Sequence, residues 1–251
     1  MNMTVTPVST IRPINRSEAR SLAATENERV LDLLRSLDGD DWSKPTDCPA
    51  WDVRALAGHV LGGMEGFSSY GQLVHLMRAA KKEAGTGSFV DGMTTVQVRE
   101  RVDLSNGELL DRLTVAGPRS ARFRSRVPAP FRAMAMKQEL LSGKTENWKM
   151  AYLLDTILTR DTWMHRIDIA RATRREFVQT AAHDGRIVAD AVAEWARRHG
   201  QPFTLEVTGA AGGRFTAGVG GEAISLDAIE LSRVFSGRAT GNGLLAQEVP
   251  F

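Results

Sequence analysis

The chain has one cysteine, Cys48, in 251 residues. A single thiol excludes an intramolecular disulfide framework and any zinc site built from several cysteines. Histidine is also scarce, with only His59, His75, His165, His183 and His199. Net charge is nearly absent, since 32 basic and 30 acidic residues leave +2. The basic residues cluster only mildly, from Arg119 to Arg132, so there is no electrostatic footprint for nucleic acid or an anionic membrane. No apolar run approaches the ~18 residues of a membrane span. The N-terminus lacks the basic-then-apolar layout of a secretory signal. These absences lead to the expectation of a protein of the reducing cytoplasm that engages neither nucleic acid nor membrane.

What is present is an ordinary globular composition, 42% hydrophobic and 25% charged, enough for one large domain or two smaller ones. Residues 1–14 have no periodicity and read as a loose tail. Leu22, Val30, Leu33, Leu34 and Leu37 recur at helical spacing, which predicts a first helix from about Ser17 to Leu37, ended by Gly39. Asp52 is placed to cap a second helix through Val53, Leu56, Val60, Met64 and Phe67 toward Met77, ended by the Gly-rich stretch 84–92. A third helical region starts near Met93, and Ser105 with Glu108 fits a capping box that restarts it. Pro118 is expected to bend or interrupt that helix. Residues 127–147 carry no clear pattern. A fourth helix is expected from about Trp148 to Thr173. Four long helices predict a bundle, in which metal and cofactor sites are built from facing side chains.

Beyond residue 183 the pattern changes. Asp184–His199 reads as an amphipathic helix stopped by Gly200, followed by strand-like stretches at Phe203–Val207, Arg214–Val219 and Gly221–Ile224. A last helix is expected from Asp227, which with Glu230 resembles a capping box, to Gly237. The expected fold is therefore mainly α, with a helical bundle over residues 15–178 and a small α+β domain over 184–251.

The predicted fourth helix carries the most informative pattern. Asp161, His165 and Asp168 are spaced by four and three, which places them on one stripe of a helix. The same stripe continues with Leu154 and Leu158 on one side and Ala172 on the other. An apolar stripe that turns acidic, imidazole, acidic in its middle demands partners, because an unpaired buried carboxylate is costly. Asp161 and His165, four apart, have the spacing by which one helix offers two ligands to one ion. The best third ligand among the remaining histidines is His59, mid-helix beside Gly58, Gly62 and Gly63, which fit a close approach of backbone or ligand. Two imidazoles and one carboxylate leave a coordination position open, the pattern of a catalytic rather than a structural site, with zinc the favoured ion and nickel, iron or manganese the alternatives. The bland alternative pairs Asp161 with Arg160 or Arg54 and leaves His165 a satisfied core histidine.

Three segments carry a resemblance. Pro45-Thr-Asp-Cys-Pro-Ala-Trp51-Asp-Val-Arg54-Ala-Leu-Ala-Gly-His59 is the first, Thr159-Arg-Asp161-Thr-Trp-Met-His165-Arg166-Ile-Asp168 the second, and the tail from Ser236 to Phe251 the third. Together they resemble the mycothiol-dependent maleylpyruvate isomerase family, a branch of the DinB-like metalloenzyme superfamily. The resemblance implies a DinB-like four-helix bundle followed by a small sterol-carrier-like α+β domain. It implies a divalent metal, usually zinc, held by His59, Asp161 and His165. It also implies the low-molecular-weight thiol mycothiol, bound between the two domains against the metal. In the family's isomerase the thiolate adds to an activated double bond, permits rotation and leaves; in related transferases it stays attached to the small electrophilic substrate. The middle ligand of the characterised isomerase is Glu, whereas Asp161 is one methylene shorter.

Other residues have a functional and a bland reading each. Asp168 is a candidate to orient His165 or hold a polar group of the cofactor, against an ion pair with Arg171 or Arg54. Arg238, in a Gly-rich turn, is a candidate clamp for a carboxylate of thiol or substrate, against simple solubility. Arg99 and Arg101 are weaker candidates of the same kind. Cys48 precedes Pro49, has no nearby histidine, and reads as a small apolar group. Trp51, Trp148, Trp163 and Trp195 read as core residues. Two other function classes fit the same residues, a non-enzymatic small-ligand-binding protein and a metal-dependent hydrolase that needs no thiol.

Overall fold

The structure, a computed structural model, describes residues 4–140 and 142–251. None of the described helices is long and apolar enough to cross a membrane. The chain forms two compact units: Arg16–Met134 with Met150–Phe177, and the stretch up to Asn15 with Ala135–Lys149 and Val178–Phe251.

The first unit is helical. It contains α1 (Arg16–Arg35), α2 (Val53–Gly66), α3 (Tyr70–Ala84), α4 (Phe89–Arg99), α5 (Asn106–Arg124), the short α6 (Ala129–Arg132) and α7 (Met150–Tyr152), and α8 (Leu158–Thr173). A π-helical turn, Leu153–Ile157, joins α7 to α8. Helix α1 touches α5 and α8, and α2 touches the same two, so these four close into a ring. Val30, Leu34, Val53, Leu56, Leu61, Leu109, Leu113 and Ile169 fill its centre, all nearly inaccessible to water. Burying each such side chain contributes roughly 1.5–3 kcal/mol. The α3–α4 hairpin is an insertion on the α2–α5 connection. Its α4 packs closely on α2 because Gly62 has no side chain: a Cβ there falls 2.6 Å from Gln97 Cβ and 2.9 Å from Gln97 Cα. Close helix packing thus accounts for this glycine.

Local chemistry sets the ends of these helices. The Asp52 carboxylate accepts from Ala55 N at 2.8 Å and starts α2. Ser105 and Glu108 form the expected capping box at the start of α5. The second predicted helix is two helices, because Phe67 ends α2 and Ser69 caps α3 by accepting from Gln72 N. Helix α1 stops at Arg35, before Gly39, and Asp38 caps a 3-10 turn over Gly39–Ser43. Pro118 does not interrupt α5. There the helix is held against α1, with Asn27 Nδ2 donating to Gly117 O at 2.9 Å.

The second unit is α+β. It contains β1 (Val5–Pro7), β2 (Ala135–Glu139), β3 (Thr145–Lys149), α9 (Asp184–His199), β4 (Phe203–Thr208), β5 (Gly213–Ala217), β6 (Glu222–Asp227) and α10 (Ala228–Phe235). The main sheet has the order β1-β5-β4-β6, with β1 parallel to β5, β4 antiparallel to β5 and β4 parallel to β6. Phe203, Leu205 and Val207 point inward along β4, and Trp195 of α9 meets Phe203 at 4.6 Å and Phe235 at 5.4 Å between ring centroids. The N-terminal segment is not wholly a loose tail: Val5–Pro7 pairs with Arg214–Thr216 as an edge strand, while residues 1–3 lie outside the described residues. The patternless stretch 127–147 holds α6 and the antiparallel hairpin β2–β3. Trp148 belongs to that hairpin, so the helical run begins at Met150. The fold is mainly α, with an α+β part toward the C-terminus.

Candidate metal centre

Helix α8 is buried along most of its length, and every residue from Thr162 to Ala170 is buried. The π-turn before it has a widened backbone ring, with Leu158 N–H donating to Leu153 O, and the next carbonyl, that of Leu154, takes a side-chain donor. Arg124, itself buried, supplies it: Nε and Nη2 donate to Leu154 O at 2.8 and 2.6 Å, and Nη2 to Thr159 Oγ1 at 2.8 Å. Burial pulls the Arg124 guanidinium down to about 10 against the attraction of Asp155. A second buried cation, Arg166, donates to Glu26 of α1 at 2.6 and 3.1 Å and lies 4.1 Å over the Phe177 ring. These contacts fix α8 on both sides of the acidic and imidazole stripe.

His59 of α2 faces that stripe. His59 Nε2 lies 3.6 Å from Asp161 Oδ2, and His165 Nε2 lies 3.3 Å from Asp161 Oδ1. The two imidazole rings stand nearly perpendicular, with centroids 4.9 Å apart. His59 and His165 are buried, whereas the Asp161 side chain keeps 35% of its surface exposed. The three donors lie within 4.8 Å of one another.

These spacings suit a tetrahedral ion. Ligand distances of about 2.0–2.2 Å give edges of about 3.3–3.6 Å between donor atoms, and a carboxylate oxygen stands at such a distance from each ring, Oδ2 from His59 and Oδ1 from His165. A contact of 3.6 Å is too long for a hydrogen bond. His59 Nδ1 is buried without a hydrogen-bond partner. A buried imidazole with neither nitrogen hydrogen-bonded is unfavourable, and a metal on Nε2 removes half of that deficit. The residues fit the ion.

The electrostatics agree with a tightly coupled pair. Burial disfavours charge on Asp161, but the neighbouring His165 and His59 rings overcome it and hold the carboxyl well below the usual carboxylate range. Burial likewise disfavours the His165 cation, and Asp161 with Asp168 overcomes it, raising His165 well above an ordinary histidine.

Asp168 is fully buried, and its Oδ2 accepts from His165 Nδ1 at 3.0 Å. Two of the cations open to these acids, Arg54 and Arg171, are engaged elsewhere. Arg54 donates to the Val102 and Leu104 carbonyls, and Arg171 donates to Asp47 at 3.1 Å. Sequence reasoning missed two residues of the centre. Cys48 Sγ lies 3.6 Å from Asp168 Oδ2 and 4.0 Å from His165 Nδ1, so the thiol does have a histidine beside it. Trp51 stacks on His59, with centroids 4.9 Å apart and planes inclined by 29°. Arg238 lies in the other compact unit, in the turn after α10, where its N–H donates to Arg233 O at 2.8 Å. Arg101 is buried and pairs with Glu65, and Arg99 pairs with Glu83. His75 pairs with exposed Glu100, and His199 packs on Trp195.

Two solved structures are similar to this chain, the mycothiol-dependent maleylpyruvate isomerase and a histidine-to-alanine variant of it. Each has a TM-score of 0.56 and 15% sequence identity, covering 94% of this chain and 93% of the other. Likeness at that identity concerns the fold. No curated protein sequence matches the chain. The sequence profile described as the mycothiol maleylpyruvate isomerase N-terminal domain matches residues 23–170. That span is more than half of the chain and includes Cys48, Trp51, His59, Asp161, His165 and Asp168. The chain therefore belongs to the mycothiol maleylpyruvate isomerase N-terminal domain family.

Proposed function

We propose that this protein is a metal-dependent enzyme that uses mycothiol, a low-molecular-weight thiol, either as the cofactor that isomerises a small electrophile or as the S-transfer donor that stays attached to it. The observation that carries the reading is the triangle of His59, Asp161 and His165, held at coordination spacing inside a buried wall. Family membership supports the reaction class. The three residues hold a divalent cation, zinc best suiting two imidazoles and a carboxylate. Bound there, the cation supplies acidity, since a thiol that coordinates it is deprotonated at neutral pH.

The chain's own residues do the rest. His59 and His165 close the protein side of the centre, and the half-exposed edge of Asp161 marks its open side. Asp168 accepts the Nδ1 proton of His165, which leaves Nε2 as the donor lone pair. Trp51 covers one face of the His59 ring and excludes water from it. Arg238 is the proposed clamp for a carboxylate of the thiol or the substrate.

Metal analysis of protein purified without chelator tests the reading. One equivalent of zinc or a similar ion, with turnover of an activated alkene only when mycothiol is present, is the expected result. Metal well below stoichiometric with no gain on adding zinc, or turnover that persists without thiol, contradicts it.

A further inference from the structure

We infer that Cys48 is a positioning residue of this centre: its thiol donates to Asp168 and through that carboxylate holds His165 with Nε2 turned toward Asp161. The inference rests on the metal reading above and adds a residue that the His59, Asp161 and His165 set does not contain.

The starting point is Asp168, which has no exposed surface. A carboxylate so buried needs donors. Its Oδ2 takes one from the His165 ring at 3.0 Å and another from the Cys48 thiol at 3.6 Å, a normal reach for the larger sulfur atom. Losing the thiol removes one of the holds on this carboxylate and so loosens the placement of the ring it steers.

The thiol is held in place by the backbone around it. Thr46 Oγ1 accepts from Cys48 N at 3.1 Å and donates to Trp51 O at 2.8 Å, while Trp51 N donates to Cys48 O at 2.9 Å. A bridge between Pro45 and Asp52 closes the base of this loop. The loop therefore meets both imidazoles of the centre, Trp51 on the face of His59 and Cys48 on the far side of His165. His59, with no hydrogen bond at Nδ1, depends on that stacking face for its placement.

The geometry separates positioning from ligation. The two nitrogens of an imidazole point away from each other. Asp161 stands at His165 Nε2, 3.3 Å away, and Cys48 stands at Nδ1, 4.0 Å away. A metal held between His59, Asp161 and His165 Nε2 thus lies on the opposite side of the ring from the sulfur.

Cobalt(II) titration of the intact protein tests this, comparing the wild type with Cys48→Ala and Cys48→Ser and following the visible cobalt bands. The wild type is expected to show a tetrahedral cobalt spectrum with no near-ultraviolet thiolate-to-cobalt band. Cys48→Ala should bind cobalt about 10-fold more weakly, the lower end of the range for residues behind metal ligands, because a thiol is a weak donor. Cys48→Ser keeps a donor and should recover most of that loss. A thiolate band overturns the inference by making Cys48 a ligand. Unchanged affinity in Cys48→Ala, or an equal loss in Cys48→Ser, also overturns it. Should Cys48→Ala fail to fold, Cys48→Val, apolar and without a donor, makes the same comparison. A wild type that binds no cobalt removes the metal reading together with this one, whereas tight binding in all variants removes this one alone.

Discussion

Replacing Asp161 with alanine removes the only carboxylate of the three-donor set and leaves two buried imidazoles facing each other across 4.9 Å. Residues that only support a metal ligand typically change affinity 10–100-fold, so deleting a ligand should cost at least the upper end, about 100-fold. Heat unfolding reads this directly, because zinc that binds only the folded chain stabilises it. At a zinc concentration 100 times the wild-type Kd, that stabilisation is about 2.7 kcal/mol. A chain of this length gains about 2–4 °C in Tm per kcal/mol, so zinc should raise the wild-type Tm by roughly 5–11 °C. In Asp161→Ala the same zinc concentration equals Kd, and the stabilisation falls to about 0.4 kcal/mol, roughly 1–2 °C. Differential scanning calorimetry with and without zinc separates the two. Equal zinc shifts in wild type and variant would refute the assignment of Asp161 as a ligand, and no shift in either would refute the centre.

Three further outcomes are expected. Glu26→Gln removes the carboxylate charge from the buried Arg166–Glu26 pair, whose cation is 2% exposed, and should cost about 3–5 kcal/mol, seen as a lower urea midpoint; a loss below 1 kcal/mol contradicts a tightly formed pair. Arg124→Met removes the two guanidinium hydrogen bonds to the Leu154 carbonyl and should cost about 1–3 kcal/mol, with faster amide exchange at the start of α8 as the second readout. The metal-free protein should show two pH limbs from the Asp161–His165 pair. Asp161 is lowered from 3.8, so its contribution is present above that value and is lost as pH falls through its folded value. His165 is raised from 6.5, so its contribution is complete below that value and is lost as pH rises through its folded value. The pair therefore stabilises most between about 3.8 and 6.5. Asp161→Ala should remove the acid limb and weaken the alkaline one, and a pH–stability curve unchanged in the variant contradicts the coupling.

Legibility in the sequence followed the range of the interactions. Elements written in local chemistry were readable: the Ser105 and Glu108 capping box, Asp52 before α2, Asp184–His199 ended by Gly200 at φ 67°, and the alternation of Phe203, Leu205 and Val207. Elements that depend on distant partners were not. Strand β1 has three residues and pairs with Arg214–Thr216, which no local pattern announces. The β2–β3 hairpin is mostly exposed and polar, so it carries no hydrophobic alternation. The break between α2 and α3 hides under a continuous apolar periodicity, and only Ser69 marks it.

The centre divides in the same way. The stripe of Asp161, His165 and Asp168 is helical arithmetic and was visible, and the structure brings His59 to it. The approach of Cys48 to His165 spans 117 residues of sequence and follows from how the loop before α2 sits against α8. Nothing in the spacing of the cysteine foretold it.

A zinc-soaked crystal with an anomalous difference map tests the central claim most directly. The account predicts one strong peak about 2.0–2.2 Å from the ring nitrogens of His59 and His165 and from a carboxylate oxygen of Asp161. No peak there, or a peak seated instead against Cys48 and Asp168, contradicts it.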